Sequence, residues 1–211
     1  MPENYLDEYP YKDSIGCGAN LRDEKLGPFP RTHHAVKVHR QEYYAIIEHM
    51  DAQIGRILDA LDTSGQAENT YIFFSADHGL AVGHHGLFGK QNLYDHSTHV
   101  PFIAVGPGIK ASHKIAAPIY LQDVMATSLD IAGAKRPKQV EFQSLLPLLS
   151  GKTTESEVRA VYGAYLGLQR SVTVGNWKRI LSPKISNPPL YNLKRDPPAR
   201  QALADTQKTP N

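Results

Sequence analysis

The sequence predicts an α/β fold that is followed by a small antiparallel β subdomain. A stretch with helical periodicity, 35–61, precedes a short apolar run at 71–75, and this order is one arm of an α/β unit. A second short apolar run, 101–105, closes on Gly-Pro-Gly. From about Val158 the apolar residues alternate with a period of two, which is typical of strands with one buried face.

The helical stretch carries a single apolar stripe. Apolar residues that recur at three- and four-residue steps lie on one face of a helix. Gly65 follows Ser64 and suits the position just after a helix C-cap. The stripe consists of Tyr43, Ile47, Met50, Ile54, Ile57, Leu58 and Leu61.

Both apolar runs are expected to be fully buried strands, because they are short, apolar and bounded by Gly and Pro. A second helix is predicted from Tyr120 to about Ala132, where Gly133 ends the pattern. The segment 142–149 is also apolar, but Pro147 limits it to one or two helical turns.

Two regions are expected along the chain. Residues 1–150 form the α/β part, of which 1–34 is irregular, and 151–211 form the antiparallel subdomain with a frayed tail after Asp196. The strands predicted for the subdomain are Val161–Leu166, Arg170–Val174, Trp177–Leu181 and Leu190–Leu193.

Composition and charge exclude several classes of protein. The 211 residues have a formal net charge of +2, which argues against a general nucleic-acid binder with a basic stripe. No apolar run is long enough to span a membrane. The N-terminus is acidic and rich in Pro and Tyr, and it lacks the basic and apolar regions of a signal peptide. The single cysteine, Cys17, excludes an internal disulfide.

Asp77 and His78 follow the first predicted strand directly. In an α/β sheet, ligands sit beyond the carboxyl ends of the strands. An oxygen donor next to a nitrogen donor at that position can hold a divalent cation. The alternative is that the pair caps the following turn, in which Gly79 allows a positive φ. The residues alone leave both interpretations open.

The following Gly-rich loop holds further candidates. Lys90 is a candidate for a fixed cation that neutralises an anionic group of the substrate. The alternative is a loop lysine whose ammonium is solvated. Histidine side chains in general titrate near neutrality, so His84 and His85 are candidates for proton transfer to a leaving group. The alternative is that they are polar loop residues held by backbone hydrogen bonds. Groups that could orient ligands follow at Tyr94, Asp95, His96 and His99.

An ordered series of motifs resembles the second half of the sulfatases, a family of the alkaline-phosphatase superfamily. Asp-His rather than Asp-Asn at positions 77–78 is similar to the branch that contains the iduronate and choline sulfatases. The resemblance covers about Tyr43 to Asp205. The motifs are YYA at 43–45, MDAQIGRIL at 50–58, SADHG at 75–79, GHHGLFGK at 83–90, HVPFI at 99–103, GPG at 106–108, FQSLLPLLSG at 142–151 and LYNL at 190–193.

The resemblance implies a partial alkaline-phosphatase-like domain and a calcium-dependent sulfatase site. By this likeness Asp77 and His78 are metal ligands, and Lys90 contacts the sulfate oxygens and takes part in catalysis. His85 is the candidate proton donor, while His84 and His99 are candidate substrate contacts. The implied substrate is a sulfated small molecule or glycan, with no nucleic acid as partner.

The family's nucleophile is a formylglycine made from the first residue of a C/S-x-P-x-R motif. That motif is absent from these 211 residues, since Cys17 lies in Ile-Gly-Cys-Gly-Ala-Asn. The chain is therefore expected to be inactive alone, with the family's N-terminal half as its missing partner. The alternatives are a non-catalytic remnant and a phosphate or phosphonate hydrolase of the same superfamily.

Overall fold

The computed structural model describes residues 22–28, 31–182, 188, 190–197 and 199. Most of the predicted irregular N-terminal segment and most of the predicted frayed tail lie outside these residues. The helices are α1 (His33–Thr63), α2 (Asp95–Thr98), α3 (Asp123–Ile131) and α4 (Leu146–Leu149), with 3₁₀ turns at Arg22–Leu26, Ala67–Asn69 and His84–Gly86. The strands are β1 (Ile72–Ser75), β2 (Phe102–Val105), β3 (Val161–Tyr165), β4 (Gln169–Val174), β5 (Trp177–Leu181) and β6 (Leu190–Asn192).

The long helix α1 confirms the strongest periodic signal of the sequence. It begins after Thr32, whose side-chain oxygen accepts a hydrogen bond from the amide of Ala35 at 3.2 Å, a typical N-cap. It ends at Ser64, and Gly65 follows with a φ of 72°, as the C-cap pattern predicts. No helix in the described ranges is both long and apolar enough to cross a membrane.

Only the first turns of α1 are covered by the rest of the described chain. Val36 is buried, and Arg40 Nε donates a hydrogen bond to the carbonyl of Val82 at 2.8 Å. Beyond Tyr43 the apolar stripe is largely open to solvent. We call the exposed apolar side chains of this part of α1 the exposed stripe. They are Ile47, Met50, Ile57 and Leu58 of the predicted stripe together with the neighbouring Ile46, and Ile46 and Ile57 are 68% and 67% exposed.

Strands β1 and β2 form a two-stranded antiparallel sheet in which Phe74 pairs with Ile103. The expectation that both strands are fully buried is wrong. The inner face packs on the leucines of the α4 region, but the outer face carries exposed Phe74, Ile103 and Val105. The physical reason is that no other strand or helix of the described residues covers this outer face. The strands are antiparallel because the connection 76–101 contains only a hairpin and the one-turn helix α2, not a long crossover helix.

The predicted antiparallel subdomain is confirmed as a four-stranded sheet in the order β3-β4-β5-β6, and every neighbouring pair is antiparallel. Its inner face carries Ile180 and Tyr191, which pack against Ala81, Leu87 and Tyr94 from the connection 76–101. The subdomain is thus a platform on which the connection between β1 and β2 rests.

Candidate active site

The connection between β1 and β2, residues 76–101, is called the site loop below. It folds back on itself, so that Lys90 returns to the neighbourhood of His78 although the two are 12 residues apart. Its two arms are joined by backbone hydrogen bonds from the amide of Ala81 to the carbonyl of Gly89 (3.0 Å), from Val82 to Phe88 (3.3 Å) and from Gly83 to Leu87 (2.7 Å).

Three of the residues predicted for the site converge. The Lys90 ammonium contacts Nε2 of His78, and Asp77 Oδ2 lies 3.5 Å from the same nitrogen. His78 Nδ1 lies 3.1 Å from the carbonyl oxygen of Gly79. A carbonyl oxygen only accepts, so Nδ1 carries the hydrogen and donates it, and Nε2 keeps its lone pair. A metal-binding histidine is commonly oriented by such a bond to a backbone carbonyl.

The donors present fit part of a cation site. The side chain of Asp77 is 86% exposed, and its Oδ1 accepts a hydrogen bond from the amide of His78 at 3.0 Å. Among the residues that the structure describes, no group of three or more His, Cys, Asp or Glu side chains is arranged to hold a metal ion. Calcium takes about 6 to 8 oxygen ligands, whereas imidazole suits softer ions. Asp77 and His78 could therefore supply two of the ligands of a metal ion, and the remaining ligands would have to come from other groups.

His84 and His85 lie at the tip of the site loop, in a cluster of aromatic rings. The His85 ring stacks on Tyr94 with centroids 4.0 Å apart, and the His84 ring is nearly parallel to His96 at 6.0 Å. His85 itself has a left-handed backbone with a φ of 56°. His99 is exposed and follows α2, where its amide donates to the carbonyl of Asp95 at 2.8 Å.

His96 is the perturbed titratable group of this cluster. Burial lowers the pKa of His96 well below its usual value, and the positive charge that His85, His84 and Lys178 can carry lowers it further. Its Nε2 atom is buried and has no hydrogen-bond partner in the described part of the chain. The imidazole of His96 is therefore neutral at pH 7.

Two buried ion pairs that hold the site loop were missed by reasoning from the sequence. Lys178 Nζ on β5 donates to Asp95 Oδ1 at 2.6 Å and thereby ties α2 to the subdomain. Lys178 shares the inner face of β5 with Ile180, so a lysine at an inward position was an available signal. The other pair is Glu24 with Arg31, and no periodic pattern of the sequence pointed to it.

Comparisons with known proteins agree with this fold. The sulfatase family model matches residues 1–134, and the model for the C-terminal region of N-sulphoglucosamine sulphohydrolase matches residues 83–211. Arylsulfatase K of Danio rerio is 29% identical over 175 residues, which cover 78% of this chain and 34% of that protein. The chain thus spans about a third of the length of this relative.

Two solved structures show how far the fold is shared. A protein solved in complex with its substrate D-glucosamine-2-N,6-O-disulfate is 25% identical, with a TM-score of 0.74 over 84% of this chain and 38% of its own. A phosphonate monoester hydrolase from Silicibacter pomeroyi is 22% identical, with a TM-score of 0.79 over 98% of this chain and 45% of its own.

The similarity to these two structures shows that the chain shares their alkaline-phosphatase-like α/β fold. Among proteins of this fold the chain belongs to the sulfatase family, because the family model matches more than half of its residues. The likeness to the iduronate and choline sulfatase branch stays a prediction.

Proposed function

We propose that this chain carries the sulfate-binding and part of the metal-binding side of a calcium-assisted sulfatase site. Asp77 and His78 are two of the metal ligands, and Lys90 is the sulfate contact. The observation that supports this proposal is the convergence of the Lys90 ammonium, the His78 Nε2 lone pair and the Asp77 carboxylate at one point of the site loop.

The roles follow from the charges. Lys90 presents a fixed positive charge that can bind sulfate oxygens and stabilise the charge that develops on them as the ester bond breaks. A bound calcium ion supplies Lewis-acid stabilisation of the same oxygens. The Gly79 carbonyl keeps His78 in the tautomer whose Nε2 carries a lone pair, which can bind a cation in place of the Lys90 ammonium.

His85 is proposed as the proton donor to the leaving group, and His84 and His99 as substrate contacts. The stacking of His85 on Tyr94 supports a fixed orientation of its ring. Proton donation by His85 requires its protonated form.

The nucleophile is proposed to come from a polypeptide segment other than these 211 residues, as a formylglycine in a C/S-x-P-x-R motif. Two surfaces support the existence of such a partner segment. The exposed stripe of α1 and the outer face of β1 and β2 are apolar and open, and a large open apolar surface marks a protein contact. A sulfatase N-terminal half would cover them.

The substrate class we propose is a sulfated glycan or small molecule. The neighbour that binds a disulfated glucosamine supports a sulfated sugar. The similarity in fold to a phosphonate monoester hydrolase supports a second candidate, a phosphate or phosphonate ester. Comparing the rates of hydrolysis of an aryl sulfate and of the matched aryl phosphonate distinguishes these two candidate substrate classes.

The test measures hydrolysis of a generic aryl sulfate with added calcium. The purified chain should give no turnover above that of its Asp77→Ala variant. Co-expression with a sulfatase N-terminal segment that contains the C/S-x-P-x-R motif should produce turnover, which Asp77→Ala and Lys90→Ala should each lower by about 100-fold or more.

Three outcomes contradict the proposal. Turnover by the chain alone that is absent from Asp77→Ala would show that the nucleophile lies within these residues. Turnover of the assembled protein that survives both substitutions would show that Asp77 and Lys90 are not site residues. An assembled protein that folds and turns over neither substrate favours the non-catalytic remnant.

A further inference from the structure

Glu24 and Arg31 are the most completely buried ion pair that the structure describes. Their side chains are 2% and 0% exposed, and they contact each other directly through Glu24 Oε2 and Arg31 Nη1. Neither residue belongs to the site loop or to a regular strand. Buried charges are rare unless they are paired and hydrogen-bonded. This pair lies next to the candidate active site, so a role in that site is considered.

The carboxylate of Glu24 binds the backbone of the site loop. Oε2 accepts a hydrogen bond from the amide of Phe88 at 3.1 Å, and Oε1 accepts one from the amide of Gly89 at 3.0 Å. These are the two residues that immediately precede Lys90. Hydrogen bonds to an ionised carboxylate are about twice as strong as those between neutral groups.

Arg31 binds the backbone of the same part of the site loop. Its Nη1 also donates to the carbonyl of Gly86 at 2.7 Å, and its Nε donates to the carbonyl of Gly27 at 3.0 Å. Its guanidinium carbon lies 4.9 Å from the centroid of the Phe88 ring, a cation–π contact. The planar fork of arginine makes these bonds in fixed directions, which a lysine cannot do.

The fit between the two segments is tight. A Cβ atom built on Gly89 would lie 2.7 Å from Cβ of Asp23, so a larger residue at this position would force the segments apart. Residues 22–28 and Arg31 therefore leave little freedom to residues 86–89.

We propose that Glu24 and Arg31 are positioning residues for Lys90. They act as a clamp that fixes the backbone of residues 86–89 and so holds the Lys90 ammonium against His78. A buried ion pair contributes little net stability but restricts the geometry of the groups it binds. The importance of Lys90 rests on the proposed function, whereas the clamp itself can be tested without turnover.

The test is residue-resolved amide hydrogen exchange of the chain by NMR. Glu24→Gln keeps the size of the side chain and removes its charge. We expect the amides of Phe88 and Gly89 to exchange about 10- to 100-fold faster, since a hydrogen bond to a charged group contributes about 1.5 to 3 kcal/mol. The matched control Glu48→Gln, on an exposed position of α1, should leave both amides unchanged.

A second readout separates positioning from general stabilisation. In the native chain, proton contacts between the Lys90 side chain and the His78 ring should give a nuclear Overhauser signal, and Glu24→Gln should abolish it while β4 and β5 keep their protection. Uniform acceleration over β4, β5 and the site loop would mean that the pair is merely structural and would overturn the proposal. Unchanged exchange at Phe88 and Gly89 would overturn it as well.

The proposal remains testable if Glu24→Gln does not fold. In the unsubstituted chain the amides of Phe88 and Gly89 should exchange far more slowly than that of exposed Ser112. Equal rates would refute the clamp. Arg31→Lys retains the positive charge but not the planar guanidinium group, and it should raise the exchange rates of the amides of Phe88 and Gly89. Failure of the proposed function shows instead as hydrolysis that is insensitive to Lys90→Ala, so the two results are distinguishable.

Discussion

The charged side chains that anchor the site loop from outside, Lys178 and Arg31, are buried and paired, whereas in the outer half of α1 apolar side chains are exposed. Lys178 and Arg31 are almost inaccessible to solvent and bind partners that fix the site loop. Ile46 and Ile57, by contrast, are about two-thirds exposed. The described chain thus fixes the backbone next to Lys90 but leaves an apolar surface that a further polypeptide could cover.

A large loss of stability is expected from breaking the tie between the subdomain and α2. Lys178→Met removes the donor to Asp95 and Thr98 and leaves a carboxylate without its partner. We expect the free energy of unfolding in urea to fall by about 3 kcal/mol. The exposed Lys152→Met is the matched control and should change it by less than about 0.5 kcal/mol. Similar values for the two variants would refute the structural role of Lys178.

Two glycines, one in each region, should respond to alanine with opposite signs. A Cβ on Gly79 would lie 2.0 Å from the carbonyl oxygen of His96, so Gly79→Ala should destabilise the chain by about 2 kcal/mol. A Cβ on Gly55 in α1 meets nothing within 4 Å, so Gly55→Ala should stabilise by about 1 kcal/mol through helix propensity. Urea unfolding measures both, and a loss of stability in Gly55→Ala would show that α1 is covered at this position.

His96 should make stability depend on pH. Its pKa is lowered in the folded chain, so the unfolded chain binds the proton more readily below the usual pKa of about 6.5. Above a pH of about 6.5, His96 contributes its full share to the free energy of unfolding. This share is lost as the pH falls towards the pKa of His96 in the folded chain, and it amounts to about 1.4 kcal/mol for each unit by which folding lowers that pKa. His96→Phe should flatten the stability profile between about pH 7 and about pH 5, whereas the exposed His49→Phe should not. A His96→Phe profile as steep as that of the unsubstituted chain would show that burial of this imidazole is not the cause.

The smallest effect is expected in the exposed stripe. Ile57→Lys places a charge where the side chain is already 67% exposed, so the free energy of unfolding should change by less than about 0.5 kcal/mol. The matched buried change, Ile180→Lys, should prevent folding or cost several kcal/mol, since Ile180 is 4% exposed. A large loss in Ile57→Lys would mean that a second copy or another segment covers the stripe in solution.

The regular elements were largely predictable from the sequence. The period of the apolar residues located α1 within two residues at each end and placed β5 at its observed bounds. The order of motifs pointed to Asp77, His78 and Lys90 before their contact was known. Such signals are local, because they depend on residues that are near one another in the sequence.

The remaining features depend on contacts between distant parts of the chain. Glu24 meets Phe88 across 64 residues and Lys178 meets Asp95 across 83, and no spacing rule connects such pairs. The outer face of β2 was wrongly predicted to be buried, because an apolar run shows that a strand can be buried and not which partner buries it.

Limited trypsin digestion of the native chain is the most direct test of this contrast. It compares the site loop, which buried ion pairs fix, with the solvent-exposed part of α1. The cleavage rates after Arg56 and after Lys90 are followed by mass spectrometry. Arg56 lies in the part of α1 that lacks cover, and Lys90 lies in the held site loop. Proteolysis follows the population of locally opened states, so we predict that cleavage after Arg56 is at least about 10-fold faster. Cleavage after Lys90 at the same rate or faster would contradict this contrast.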